Sequence, residues 1–187
     1  MLLSFLHSTT GLVHLIAAVI ALATGAAVLL LPKATVTHRR VGYVYTAAMV
    51  GVLLTSFSIY HLYGSFGIFH WLAVVSTVTL IGGMVPIVWR KPAGRYIEIH
   101  FAFMYWSVVG LYAAFFAETA VRLPDTVIAA GVPNHYFYTA AGIGTGVVML
   151  IANIAWFRMK PRWAAQFRGQ GARARVEGGG LNGAGPR

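Results

Sequence analysis

The residues best equipped for chemistry in this chain are its seven histidines, since it has no cysteine and only four acidic side chains. The absence of thiols excludes disulfides, iron–sulfur clusters and thiolate zinc sites, and leaves imidazole as the strong nitrogen ligand. His7 and His14 lie seven residues apart in a run of Leu, Ile, Val and Ala, with Gly11 between them and Ala18 and Gly25 continuing the same helical stripe. Lipid solvates imidazole poorly, so this stripe is expected to face inward. His38 opens the basic triplet His38-Arg39-Arg40, followed by Gly42. His70, His100 and His135 stand near the starts of later apolar segments, and His61 stands at the end of one. Glu118 is the single acid expected to face the outer half of a helical bundle.

The elements that must position these side chains are membrane spans. Of 187 residues 58% are hydrophobic and 10% charged, with a mean hydropathy of +0.73. The apolar residues come in long blocks, which indicates membrane helices. Five spans are expected, near 3–31, 41–63, 66–89, 96–121 and 135–157, with Pro86 kinking the third. The fold class is therefore an all-α, polytopic membrane helical bundle of five transmembrane helices. The N-terminal run lacks a basic n-region and is too long for a signal peptide, so it reads as a retained helix.

Orientation follows from Lys and Arg. Lys33, Arg39 and Arg40 fill the first loop, Arg90, Lys91 and Arg95 the third, and Arg158, Lys160 and Arg162 follow the last span. The second loop has none, and the fourth has Arg122 against Glu118 and Asp125. The N-terminus is thus expected outside and the C-terminus in the cytoplasm of a bacterial inner membrane. The net charge of +10 is read as this topology signal, with anionic lipid as partner and no nucleic acid. Residues 1–161 form the transmembrane domain, and the Gly- and Arg-rich stretch 162–187 is expected to be a disordered basic tail. The loop 123–132 is expected along the outer interface.

Matched depth pairs the histidines. His38 and His100 fall at the inner side, and His70 and His135 at the outer side, with His14 about 10 Å below His7 at ~1.5 Å per residue. A haem takes two axial ligands, so each pair is expected to supply one haem, one at each face of the membrane. His100, Met104, Ser107 and Glu118 share a face of the fourth span. His135, Thr139, Gly142 and Gly146 share one on the fifth, where glycines admit a close neighbour. His14, His38, His70, His100 and His135 are accordingly the candidate cofactor ligands. His14, His70, His135 and Glu118 are the candidate set for a metal ion. Arg39, Arg40 and Gly42 form a candidate anion site at a helix N-terminus, for a lipid phosphate or a haem propionate.

The paired pattern is similar to cytochrome b561-type bundles. That likeness implies b-type haem, transmembrane electron transfer and a quinone or other redox partner, as in a haem-dependent membrane oxidoreductase component. A closer pattern joins His14 and Gly25 to His38-Arg39-Arg40-Val41-Gly42-Tyr43-Val44-Tyr45 and then His100-Phe101-Ala102-Phe103-Met104. Between about Leu12 and Val121 it resembles an uncharacterised family of bacterial multi-pass membrane proteins, a domain of unknown function. That family's marks are a histidine in the first span, H-R-x-x-G at the start of the second and H-R-x-x-M at the start of a later one. Phe101 stands where the family has Arg. The resemblance implies the fold and singles out His14, His38 and His100. Two other functions compete with haem chemistry: a proton-coupled or metal-ion transporter subunit, in which His14, Glu118 and nearby histidines relay protons or bind a metal ion, and a cofactor-free assembly protein. An H-E-x-x-H zinc hydrolase motif is absent.

Overall fold

The computed structural model describes residues 8–59, 65–122, 128–129, 132–133 and 135–179. Among the described residues the chain is all-α apart from one two-residue antiparallel pair. Its helices are α1 (Thr9–Leu30), α2 (Val36–Ser56), α3 (Ile68–Trp89), α4 (Tyr96–Arg122) and α5 (His135–Gly179). The pair β1 (Ile128–Ala129) and β2 (Val132–Pro133) precedes α5. His7, His61 and most of the 123–132 loop lie outside the described residues.

Four helical segments are long and apolar enough to cross a membrane: Thr9–Leu30, Ile68–Trp89, Tyr96–Ala120 and His135–Pro161. Their outer faces are apolar too. Val19 is 57% exposed, Trp71 63% and Ile151 63%. Each such side chain left in water forfeits roughly 1.5–3 kcal/mol, which marks these faces as lipid-facing. The helix α2 differs from its expected span. It begins five residues early because the Thr35 hydroxyl accepts the His38 N–H at 3.1 Å and caps it. His38, Arg39 and Arg40 thus occupy its first turns instead of preceding it, and only the part after Arg40 is free of charge.

The chain divides into two compact units, Met1–Met149 and Leu150–Arg187. In the first, α1 packs along α2 and α3 along α4, forming two antiparallel hairpins. The hairpins meet more sparsely, through α2 with α3 and α1 with α4. Small residues set the close approaches. A Cβ on Gly51 would lie 3.3 Å from Ala17 of α1, and one on Gly83 would lie 2.6 Å from Met104 Sδ of α4. The core is Ala21 and Val28 of α1, Tyr45, Met49, Val52 and Leu53 of α2, Ala73 and Leu80 of α3, and Val108 and Leu111 of α4. The start of α5 joins through a second cluster, Phe137 and Ala141 against Ala117 and Phe69.

The second unit continues α5 through Pro161 to Gly179. Trp163 lies 6.1 Å from Trp156, and the Lys160 ammonium sits 5.8 Å from the Trp156 ring. The helical backbone therefore extends well into the stretch expected to be a tail. Its Ala, Arg and Gln residues are good helix formers, and elongating an existing helix avoids the cost of a new nucleus.

Candidate functional site

On α1, Gly11, Ala21, Gly25 and Val28 are buried and His14 is half-buried, so the stripe turns toward the bundle. The His14 ring meets α2 at Thr55, with Nδ1 2.9 Å from Oγ1. Proton counting fixes the tautomer. Thr55 has one hydroxyl proton, and its oxygen lies 2.7 Å from the Gly51 carbonyl and 2.9 Å from that of Val52. Oxygens this close need the proton between them, so Thr55 donates to a carbonyl and accepts from His14 Nδ1–H. The basic lone pair of neutral His14 is then on Nε2.

His14 lines a cavity of about 140 Å3 at the end of the bundle formed by the α1 and α3 N-termini and the α2 and α4 C-termini. Glu118 and Thr119 of α4 line the same cavity, with Ser56 of α2 and Ser76 of α3. Apolar residues make the remaining walls, among them Leu22, Met49, Leu53, Phe69, Leu111 and Phe115. Of the candidate set His14, His70, His135 and Glu118, the packing places His14 and Glu118 on the walls of this cavity and not His70 or His135. An ionisable pair on the wall of an apolar cavity inside a membrane bundle is suited to binding and releasing a proton or cation.

One turn below the cavity floor the core closes. Tyr45 of α2 and Ser107 of α4 are both fully buried and share a hydrogen bond of 2.9 Å. Gly25 makes room for the Tyr45 ring, since a Cβ there would lie 3.1 Å from it. Tyr112 also ties α4 to α1, donating to the Leu22 carbonyl at 3.0 Å.

At the opposite end lie His38 and His100. His100 Nδ1–H donates to the Gly83 carbonyl at 2.7 Å, which leaves Nε2 as its basic atom. His38 Nδ1 is buried without a hydrogen-bond partner. Burial lowers the His38 pKa first, and the nearby charges of Lys33 and His100 lower it further, against a raising hydrogen bond to the Val28 carbonyl. The Lys33 ammonium caps α1, donating to the carbonyls of Val28, Leu29 and Leu31 at 2.7, 2.7 and 3.1 Å, and burial lowers its pKa. Arg39 and Arg40 are exposed beside this end, and Gly42 is half-buried, with space for a Cβ 4.0 Å from Val28.

The other two histidines have different surroundings. His70 is 3% exposed, and its Nδ1 accepts the Gly67 N–H at 3.1 Å at the start of α3. That bond occupies the Nδ1 lone pair and puts the proton of the neutral ring on Nε2. In this state His70 caps α3. His135 is exposed and packs on Tyr136, with ring centroids 3.8 Å apart. The expected face of His135, Thr139, Gly142 and Gly146 points outward, because α5 packs through Phe137 and Ala141 instead. The close approach on α5 is at Gly144, where a Cβ would lie 3.1 Å from the α4 backbone at Phe116 and Ala117.

Among the described residues, no three His, Asp or Glu side chains group as a metal site. The histidines thus resolve into an upper station, His14 with Glu118, and a lower one, His38 with His100. Thr55 and the Tyr45–Ser107 pair were not singled out by sequence. A hydroxyl one helical turn from a glycine is too common a pattern to stand out. Compared with protein-family models, curated proteins and solved structures, the chain matches none.

Proposed function

We propose that this chain is a proton-coupled membrane transporter, or the transporting subunit of one, and that the His14–Glu118 cavity is its binding station. The observation that carries this is the convergence of an oriented imidazole and a carboxylate on one small cavity within the bundle. Ionisable groups at such a place are costly and mark substrate or proton pathways. Five spans with the N-terminus outside and the C-terminus in the cytoplasm of a bacterial cell membrane complete the reading. The α2 helix runs back along α1 after a short loop, so it crosses with its partner although its first turns are charged. Lys33, Arg39, Arg40, Arg90, Lys91 and Arg95 then gather at one face, where anionic lipid headgroups are the partner of the exposed arginines.

The test is proton flux in liposomes containing the full chain and a pH-sensitive dye. Flux above that of empty vesicles, lost in His14→Ala and Glu118→Gln, is the expected result. Wild-type flux equal to empty vesicles overturns the reading.

A second reading is supported by the lower station. The unpartnered Nδ1 of His38 and the basic Nε2 of His100 are two imidazole lone pairs on α2 and α4. They would hold the iron of a b-type haem, with Arg40 as a cation for a propionate and a quinone as electron partner. Haem iron there supplies one-electron transfer. This reading expects a Soret band in the purified protein that His100→Ala weakens. A colourless protein whose spectrum does not respond to added haemin excludes it.

A further inference from the structure

We propose that the upper cavity binds a small lipophilic amine, and that Glu118 holds either its ammonium group or a proton. This rests on the transporter reading and names the substrate class of the same site.

Size limits the guest. An engineered apolar cavity of about 150 Å3 accepts benzene, and this one measures about 140 Å3. The walls select its character. Leu22, Met49, Leu53, Phe69, Leu111 and Phe115 cannot hydrogen-bond, so a sugar or a hydrated ion would lose water contacts without replacement. A bare inorganic cation needs about six oxygen ligands. The cavity offers one carboxylate and the hydroxyls of Ser56, Ser76 and Thr119. An anion would face Glu118. The remaining guest is an apolar body with a single cationic head.

The polar groups suit such a head. Glu118 supplies the opposite charge, and neutral His14, protonated on Nδ1, adds an imidazole to the same walls. Thr55 holds the ring in that tautomer. Among the described residues, the titratable groups on the walls are His14 from α1 and Glu118 from α4. Protonating either one opposes the amine. Proton and amine therefore exclude each other at one site, which is the coupling an exchanger needs, and no covalent step is involved.

The experiment titrates the full chain in nanodiscs with benzylamine, toluene and benzoate, following heat of binding. Benzylamine is expected to bind at least tenfold more tightly than either neutral toluene or benzoate. Its affinity should fall as the pH is lowered, because proton and amine compete for the same groups. Glu118→Gln should remove the preference for benzylamine and keep toluene binding, which also shows that this variant is folded. Ala18→Leu, which fills the cavity, should abolish binding of both. Equal affinity for toluene and benzylamine in the wild type, or an unchanged preference in Glu118→Gln, overturns the proposal. Proton flux without any benzylamine binding overturns this inference and leaves the transporter reading standing. Glu118-dependent benzylamine binding without proton flux in vesicles supplied with benzylamine supports the site and removes the transporter reading.

Discussion

Replacing Thr55 by Val tests whether the orientation of His14 matters. The side chains are nearly the same size, so the cavity keeps its shape. What is lost is the acceptor 2.9 Å from His14 Nδ1. The Gly51 and Val52 carbonyls also lose a hydroxyl, but as helix acceptors they retain their backbone bonds. The net loss is one interhelical hydrogen bond. Such bonds in membrane bundles contribute about 0.6 kcal/mol on average and up to about 1.7. If transport requires the Nδ1–H tautomer, that energy appears as a flux reduction of about threefold to about eighteenfold, at ~1.36 kcal/mol per factor of ten. Thr55→Ser keeps the hydroxyl and should retain most of the flux. Nitrogen-15 NMR of labelled histidine reads the tautomer directly: His14 protonated on Nδ1 in the wild type, and a tautomer mixture in Thr55→Val. Wild-type flux and an unchanged spectrum in Thr55→Val would refute the proton-counting argument. So would an equal loss in Thr55→Ser.

Three further outcomes are expected. Ser107→Ala strands the buried Tyr45 hydroxyl and should cost about 1–3 kcal/mol in detergent unfolding. Tyr45→Phe should cost less, because Ser107 can turn to a carbonyl one helical turn back, and the double variant should cost less than the sum of the singles; strict additivity excludes the pair as a unit. Gly144→Ala should destabilise by about 1–3 kcal/mol because the new methyl meets α4 backbone, whereas Gly142→Ala meets nothing within 4 Å and should be neutral or stabilising; equal thermal midpoints would show that α5 does not pack at Gly144. The lowered His38 pKa means that the unfolded chain takes up the proton more readily, so stability should decline as pH falls below the ordinary imidazole value of 6.5, and His38→Gln should flatten that decline in thermal unfolding.

The helices were legible because span length and Lys/Arg spacing are long, redundant signals. Thr9–Leu30, Ile68–Trp89 and Tyr96–Arg122 end within a few residues of their expected limits wherever those limits are described. The inward stripes on α1 and α4 were legible for the same reason: His14 and Gly25 are spaced by helical periodicity, as are His100, Ser107 and Glu118. On α5 the same logic chose the wrong face. Gly142 and Gly146 suggested close packing, but Phe137 and Ala141 bury more apolar area and set the rotation. Depth also could not tell His70 from His14. What separates them is a single bond each, Gly67 N–H to one ring and Thr55 to the other, and such bonds depend on helix rotation. The start of α2 was misjudged because charge argued for a loop, while Thr35 supplied a cap that holds charged residues in helix.

The cavity and its floor have a common origin in how the hairpins pack. Each hairpin is drawn tight by small residues, Gly51 against Ala17 in one and Gly82 and Gly83 against Phe103 and Met104 in the other. Between the hairpins the tight fit is central, where a Cβ on Gly25 would lie 3.3 Å from Val108 of α4 and Tyr45 bonds to Ser107. Above that level the facing residues leave the cavity open between all four helices. A proton or amine at Glu118 therefore has Met49, Leu111 and the Tyr45–Ser107 pair between it and the lower histidines. Opening that plug within a hairpin would break its glycine packing. Separating one hairpin from the other breaks chiefly the Tyr45–Ser107 and Tyr112–Leu22 bonds, together about 1–3 kcal/mol on the membrane scale, along with the sparser packing around them. If the chain is the transporter proposed above, rigid rocking of hairpin against hairpin about this central contact is the least costly route to alternating access. It follows that Tyr45→Phe should speed release from the cavity even as it lowers stability.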